Sequence, residues 1–210
     1  MKVVILFASL EGQTRKISHF AQDMLRNAGH DVALFDAAGK TAGIDLENAD
    51  RIILAGSVHE RRHPMALEVF IAAHRHALEA RPTLLISVSL SAAFPEGLEE
   101  AEDYLVEMMM RTRFTPSHRA LVAGAVRTRE YDYFARQVVR HVVLRGRDYD
   151  PNEEEHEFTD WVRLGAALRD FMSPRRAALN SAQAAASSSA SSLRADRRFE
   201  ASSGRSGSVA

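Results

Sequence analysis

The chain has no cysteine in its 210 residues, three lysines and a single tryptophan. Without cysteine it can form no disulfide framework, no thiolate zinc site and no iron–sulfur cluster. No apolar run approaches the ~18–20 residues that a membrane-spanning helix needs. The opening MKVVILFASLEG has one lysine and a short apolar run, but no full h-region and no cleavage pattern. It therefore reads as a first strand and not as a signal peptide, and a cytoplasmic protein is expected. Six prolines and eleven glycines are too few for a collagenous chain, and 46% apolar with 26% charged residues is globular composition. The length suits one domain plus an appendage.

The charge is uneven. From Arg175 to Ala210 six arginines face two acids, while the rest of the chain carries 21 basic and 26 acidic residues. A mildly acidic body lacks the basic face of a duplex-DNA binder, so no nucleic-acid partner is expected. The segment NSAQAAASSSASSLRADRRFEASSGRSGSVA holds almost no large apolar residues. It cannot bury enough surface to offset ordering entropy, so 175–210 is expected to be a disordered Ser/Ala/Arg-rich tail after a domain spanning 1–174.

The body alternates strands with helices. Lys2–Ala8 is a near-continuous apolar run, the mark of a central parallel strand buried on both faces. Ile17, Phe20, Ala21, Met24, Leu25 and Ala28 follow with helical spacing, stopped by Gly29. Asp31–Asp36, Arg51–Gly56, Thr83–Leu90 and Ala120–Val126 read as further strands. Met65–Ala80, Glu96–Arg113 and Phe158–Met172 read as helices, the last capped by Thr159 or Asp160. Five strands in this alternation predict an α/β protein with a flavodoxin-like doubly wound five-stranded parallel sheet, order 2-1-3-4-5. The stretch of about 127–157, before the last helix, is too long for a simple connection and is read as an insertion.

Between the first strand and the first helix stand Ser9, Leu10, Glu11, Gly12, Gln13, Thr14 and Arg15. Backbone N–H groups at such a turn, with the helix dipole, make an anion site. Ser9 and Thr14 can add hydroxyl donors, and Gly12 lets the backbone approach closely. The segment is neither G-x-x-x-x-G-K-[ST] nor G-x-G-x-x-G, which disfavours a P-loop nucleotidase and a dinucleotide enzyme.

The spacing of Ser9, Gly12 and Thr14 resembles the phosphate loop of flavodoxins. The acidic Glu11 before Gly12-Gln13-Thr14 is similar to one branch of that superfamily, the menaquinone-dependent protoporphyrinogen IX dehydrogenases of bacterial haem biosynthesis. KVVILFASLEGQTRKIS, Ala49-Asp50-Arg51-Ile52-Ile53, Ala55-Gly56-Ser57-Val58 and Ser87-Val88-Ser89-Leu90 resemble the same branch. So do Ala123-Gly124-Ala125-Val126-Arg127 and Thr159-Asp160-Trp161, which flank the insertion. The likeness covers roughly residues 1–172, and these segments in order are more specific than the loop alone.

The resemblance implies an FMN cofactor, oxidation of protoporphyrinogen IX to protoporphyrin IX, and electrons passed to menaquinone or ubiquinone. It implies work at the cytoplasmic face of a membrane. It assigns the phosphate to Ser9–Thr14 and the flavin ring to the loops at 57–63 and 88–92, with Ser57, Val58 and His59 on one side and Val88, Ser89, Leu90 and Ser91 on the other. The flavin carries the chemistry, so no side chain is assigned as catalytic and no metal is expected. Neither ring loop contains Trp, Tyr or Phe. His59 or an arginine plane stacks instead, or the flavin is loosely held, or one face stays open to substrate; the open face is favoured. Arg15 is placed to offset the charge of Glu11. Arg61, Arg62, Arg127 and Arg129 are candidates for pairing with substrate carboxylates. In the insertion, residues 131–145 read as an amphipathic helix with Arg136, Arg140, His141 and Arg145 on its polar side. It is either a lid that touches substrate, quinone or membrane, or a helix packed on the body. The alternatives in function are a flavodoxin-type electron carrier and a flavin-binding module serving a protein partner.

Overall fold

The structure, a computed structural model, describes residues 1–39, 43–127 and 155–173. The chain divides into two units, Met1–Arg169 and Asp170–Ala210, and the site lies in the first. The elements run β1 (Lys2–Ala8), α1 (Gln13–Asn27), β2 (Asp31–Asp36), β3 (Arg51–Ser57), α2 (Met65–Ala73), α3 (Arg75–Glu79), β4 (Thr83–Ser89), α4 (Leu98–Thr112), β5 (His118–Ala123), β6 (Ala125–Arg127), β7 (Glu155–Glu157) and α5 (Trp161–Met172). The tail after 173 and the helix at 131–145 fall outside the described residues.

β1 to β5 form one sheet in the order β2-β1-β3-β4-β5, and each neighbouring pair is parallel. Parallel strands need crossover helices, which cover both faces of the sheet. That explains the unbroken apolar runs of β1, β3 and β4. Ile5, Leu6, Ile52, Ile53, Leu54 and Leu85 are inaccessible to solvent, each large aliphatic contributing roughly 1.5–3 kcal/mol by burial. On one face Leu6, Leu54 and Leu85 pack with Leu67, Ile71, Leu105, Met108 and Phe114. α1 buries Ile17, Ala21 and Leu25, the face that its spacing predicts.

The strand ends are in register where the chain leaves the sheet. Ala8 lies beside Gly56, Ser57 beside Val88, and Ser89 beside Ala123. The loops after β1, β3, β4 and β5 therefore emerge together at the carboxyl edge, where a doubly wound sheet binds its ligand.

Two expectations are corrected. The helix read over Met65–Ala80 breaks at His74, whose N–H and ring Nδ1 both turn back on the Phe70 carbonyl at 3.0 and 2.9 Å while its ring stacks on Phe70. The strand read over Ala120–Val126 divides at Gly124. Its N–H donates to Ser89 of β4 and its carbonyl accepts from Phe158, so the chain leaves the main sheet and β6 pairs antiparallel with β7. β7 was not expected at all. The cap of α5 is Asp160, whose Oδ1 accepts the Arg163 N–H at 2.9 Å.

Candidate flavin site

The turn after β1 is shaped by Gly12, which sits in the left-handed region at φ 89° and precedes α1 without any side-chain cap. The amides of the first turn of α1 are thus left for a ligand, and the helix dipole favours an anion there. The Ser9 hydroxyl oxygen accepts the Gly12 N–H at 3.0 Å, which leaves its own proton for an acceptor. The Leu10 N–H donates to Ser57 Oγ at 3.3 Å, tying this loop to the one after β3. Thr14 is 1% exposed, and its Oγ1 is buried without a partner, as is Gln13 Oε1. A buried hydroxyl without a partner costs about 1–3 kcal/mol unless a ligand supplies one.

The loop after β3 continues the pairing with β4 through the Val58 N–H to the Val88 carbonyl at 2.7 Å. It then makes a tight turn. His59 and Arg62 exchange backbone hydrogen bonds of 2.9 and 3.0 Å, while Glu60 and Arg61 between them adopt φ 47° and 64°. Two consecutive non-glycine residues in the left-handed region are strained, at roughly 1–3 kcal/mol each. Below the turn His63 is buried, with Nε2 3.0 Å from Ser87 Oγ of β4 and Nδ1 without a partner. Burial depresses its pKa to about 4. Glu68 anchors the same loop, accepting from Arg62 Nη2 at 2.8 Å and from Arg111 Nε at 3.0 Å. Burial works against its charge, yet the hydrogen bonds from Arg62 and Arg111 hold its carboxyl below the usual range.

These loops enclose one cavity of about 510 Å³. It is lined by every residue assigned to the cofactor from sequence except Gly12, and by Glu60, Arg61, Tyr104, Gly124 and Ala125 as well. Of the four candidate arginines, Arg61 lines the cavity. Arg62 does not and is held by Glu68. Arg127 lies in β6, and Arg129 falls outside the described residues. Arg15 does not offset Glu11, because it bridges to Asp36 at 3.2 Å. His59 faces Glu11, with Nδ1 3.9 Å from the carboxylate. Among the described residues no cluster of His, Asp and Glu is fit to hold a metal. A larger groove of about 710 Å³ runs along β5 between α4 and α5. Among the described residues, none of the buried polar atoms without a partner belongs to its lining, whereas Thr14 and Gln13 bring two of them to the smaller cavity, which is therefore the candidate flavin site.

The donor set fits FMN. Thr14 Oγ1, Ser9 Oγ and the first-turn amides suit a phosphate, and Gln13 Oε1 suits a hydroxyl of the ribityl chain. Leu10, 59% exposed at the mouth, offers an apolar edge.

The chain belongs to the flavodoxin domain family, whose model matches residues 4–152. It is 27% identical over 174 residues to the protoporphyrinogen IX dehydrogenase (quinone) of Escherichia coli strain K12, covering 81% of this chain and 94% of that one. It is 22% identical to a protein of the same name from Leishmania major, over 81% of this chain and 74% of the other. Both agree with the branch that the residues resemble. Among solved structures, oxidised flavodoxin 1 from Bacillus cereus superposes with a TM-score of 0.46 at 16% identity, over 82% of this chain and all of the other.

Sequence reasoning missed Tyr104, because the ring contacts were sought in loops and this residue lies on a helix. Its place on the buried face of α4 with Ala101, Leu105 and Met108 was legible, but its position beside the cavity was not.

Proposed function

We propose that the chain is an FMN-dependent protoporphyrinogen IX dehydrogenase that delivers electrons to a respiratory quinone. The observation that carries the flavin part is the buried Thr14 hydroxyl, without a partner, at an uncapped helix start in a cavity that also collects the β3 and β4 loops. The substrate part rests on the relatives.

When bound, the flavin would take electrons from the tetrapyrrole, six in all, and release them in pairs to quinone. The chain supplies position and electrostatics. Ser9, Thr14 and the first amides of α1 fix the phosphate. The turn at His59–Arg62 and the loop from Val88 to Ser91 flank the ring. Arg61, on the rim, bonds Glu100 through Nη1 at 2.7 Å and keeps further N–H groups for a propionate carboxylate. Ala125 of β6 forms part of the wall. In this reading the protein works peripherally at the inner face of the cytoplasmic membrane. Among the described residues no helix is long and apolar enough to cross one.

The test is an anaerobic assay. The purified protein should be yellow with FMN and should convert protoporphyrinogen IX to the fluorescent porphyrin only when menaquinone or ubiquinone is added. A colourless protein that takes up no FMN ends the flavin reading. A yellow protein that leaves the porphyrinogen unchanged, yet exchanges electrons with a flavodoxin reductase, favours the carrier alternative.

A further inference from the structure

We propose that Tyr104 of α4 is the aromatic side chain that contacts the flavin ring, held in place by Glu100 and Arg61. The loops that flank the ring contain no Trp, Tyr or Phe. Tyr104 is the one such residue lining the cavity among the described residues. α4 carries it there because Ala101, Tyr104, Leu105 and Met108 form the buried face of that helix, whose first turns lie at the carboxyl edge of the sheet.

A phenol confined to 6% exposure needs a partner for its hydroxyl. Burial first, and the Glu100 carboxylate one turn earlier second, push the pKa of the Tyr104 hydroxyl up. Glu100 is in turn fixed from both ring loops. Arg61, after β3, donates to Oε1 at 2.7 Å, and Ser91, after β4, donates to Oε2 at 3.0 Å. The Arg61 guanidinium also lies 5.2 Å from the centre of the Tyr104 ring, within reach of a cation–π attraction. Four side chains from three elements thus converge on the wall between the two loops. An unplaced tyrosine would need only Glu100. The added bonds from Arg61 and Ser91 couple the ring of Tyr104 to the loops that would grip the flavin.

This inference rests on the flavin reading, and its readout is the bound flavin's own emission. A phenol in contact with photoexcited flavin gives it one electron, which returns on recombination, so emission is quenched with no net chemistry. A phenyl ring holds its electrons too tightly for this transfer. Bound FMN in the unaltered chain should be strongly quenched, and Tyr104→Phe should raise its emission and lengthen its decay severalfold while helicity is unchanged. A role confined to packing would leave the decay unchanged, since Phe fills the same space. Glu100→Gln, which weakens the hold on the ring without removing it, should give a smaller rise. Bound FMN with the same decay in Tyr104→Phe overturns the inference alone. Failure of the unaltered chain to bind FMN overturns it together with the flavin reading.

Discussion

Lowering the pH should destabilise the fold through a single buried imidazole. His63 sits under the ring loop with its Nε2 on Ser87 Oγ, and Nδ1 has no acceptor for a second proton. Desolvation is the main cause of its depressed pKa, which lies near 4 against 6.5 for a free histidine. The nearby Glu68 charge works in the opposite direction, and Arg111 adds to the depression. The unfolded chain therefore binds the proton more readily than the folded one, and stability must rise with pH between these values. At and above pH 7 the contribution is fully present. From pH 6 to pH 5 the imbalance removes about 1 kcal/mol, and by pH 4 the loss approaches about 3 kcal/mol. Glu68, Glu100 and Glu157 have lowered pKa values as well, and their contributions begin to be lost as the pH nears the ordinary carboxylate value, so the histidine is separated by comparison with a variant. Urea unfolding at half-unit steps gives the slope directly. In His63→Gln, where the amide can keep the bond to Ser87, the absolute stability falls but the excess slope over this window should vanish. If both chains show the same pH dependence from 6 to 5, His63 is not held neutral by its surroundings and the account of its burial is wrong.

Three other perturbations address the site and its support. Thr14→Ala combined with Gly12→Val should weaken FMN binding at least ten- to hundredfold, roughly the worth of one hydrogen bond to a charged group; an unchanged dissociation constant by fluorescence titration would move the phosphate elsewhere. Gly56→Ala should cost roughly 1–3 kcal/mol in urea unfolding, because its new methyl would lie 2.6 Å from Leu67 Cδ2 and 3.1 Å from His63 Cδ2; a neutral result would mean that the ring loop gives way easily. Deleting 131–145 should abolish porphyrinogen oxidation and leave FMN bound; retained turnover would reduce the insertion to packing.

The sheet was legible because buried parallel strands announce themselves as apolar runs and their order follows from the alternation with helices. The loop after β1 was legible as a candidate anion site because a glycine and two hydroxyl residues between strand and helix have few other uses, and the structure opens that loop onto the cavity. What escaped depended on contacts between distant segments. The break of α2 at His74 arises from the ring folding onto Phe70, which periodicity places on the same face without revealing the kink. The end of β5 at Gly124 depends on Phe158, 34 residues later, claiming its carbonyl. Partner choice among charges was equally hidden. Arg15 is next but three to Glu11 in sequence, yet it pairs with Asp36 because β2 runs beside β1. The same holds for Arg61 and Arg62. They are neighbours in a loop, but the left-handed turn sends one to Glu100 of α4 and the other to Glu68 of α2.

β6 and β7 pair Ala125 with Glu157 and Arg127 with Glu155, which holds the two described strands side by side. This pair is tied to the loop after β1. Gln13 Nε2 donates to Thr159 Oγ1 at 2.8 Å, and the Thr159 hydroxyl donates to the Ala123 carbonyl at 2.7 Å. Lys16 pairs with Glu157, whose other oxygen accepts the Trp161 N–H at 2.5 Å, while Trp161 packs against Phe20. The first two turns of α1 thus hold the returning strand, and Gln13 serves both sides, its nitrogen bonded to Thr159 and its buried oxygen left for the ligand. The bonds from Gln13 through Thr159 to Ala123 therefore fix the foot of β6 and β7 relative to the loop after β1, whose residues line the cavity.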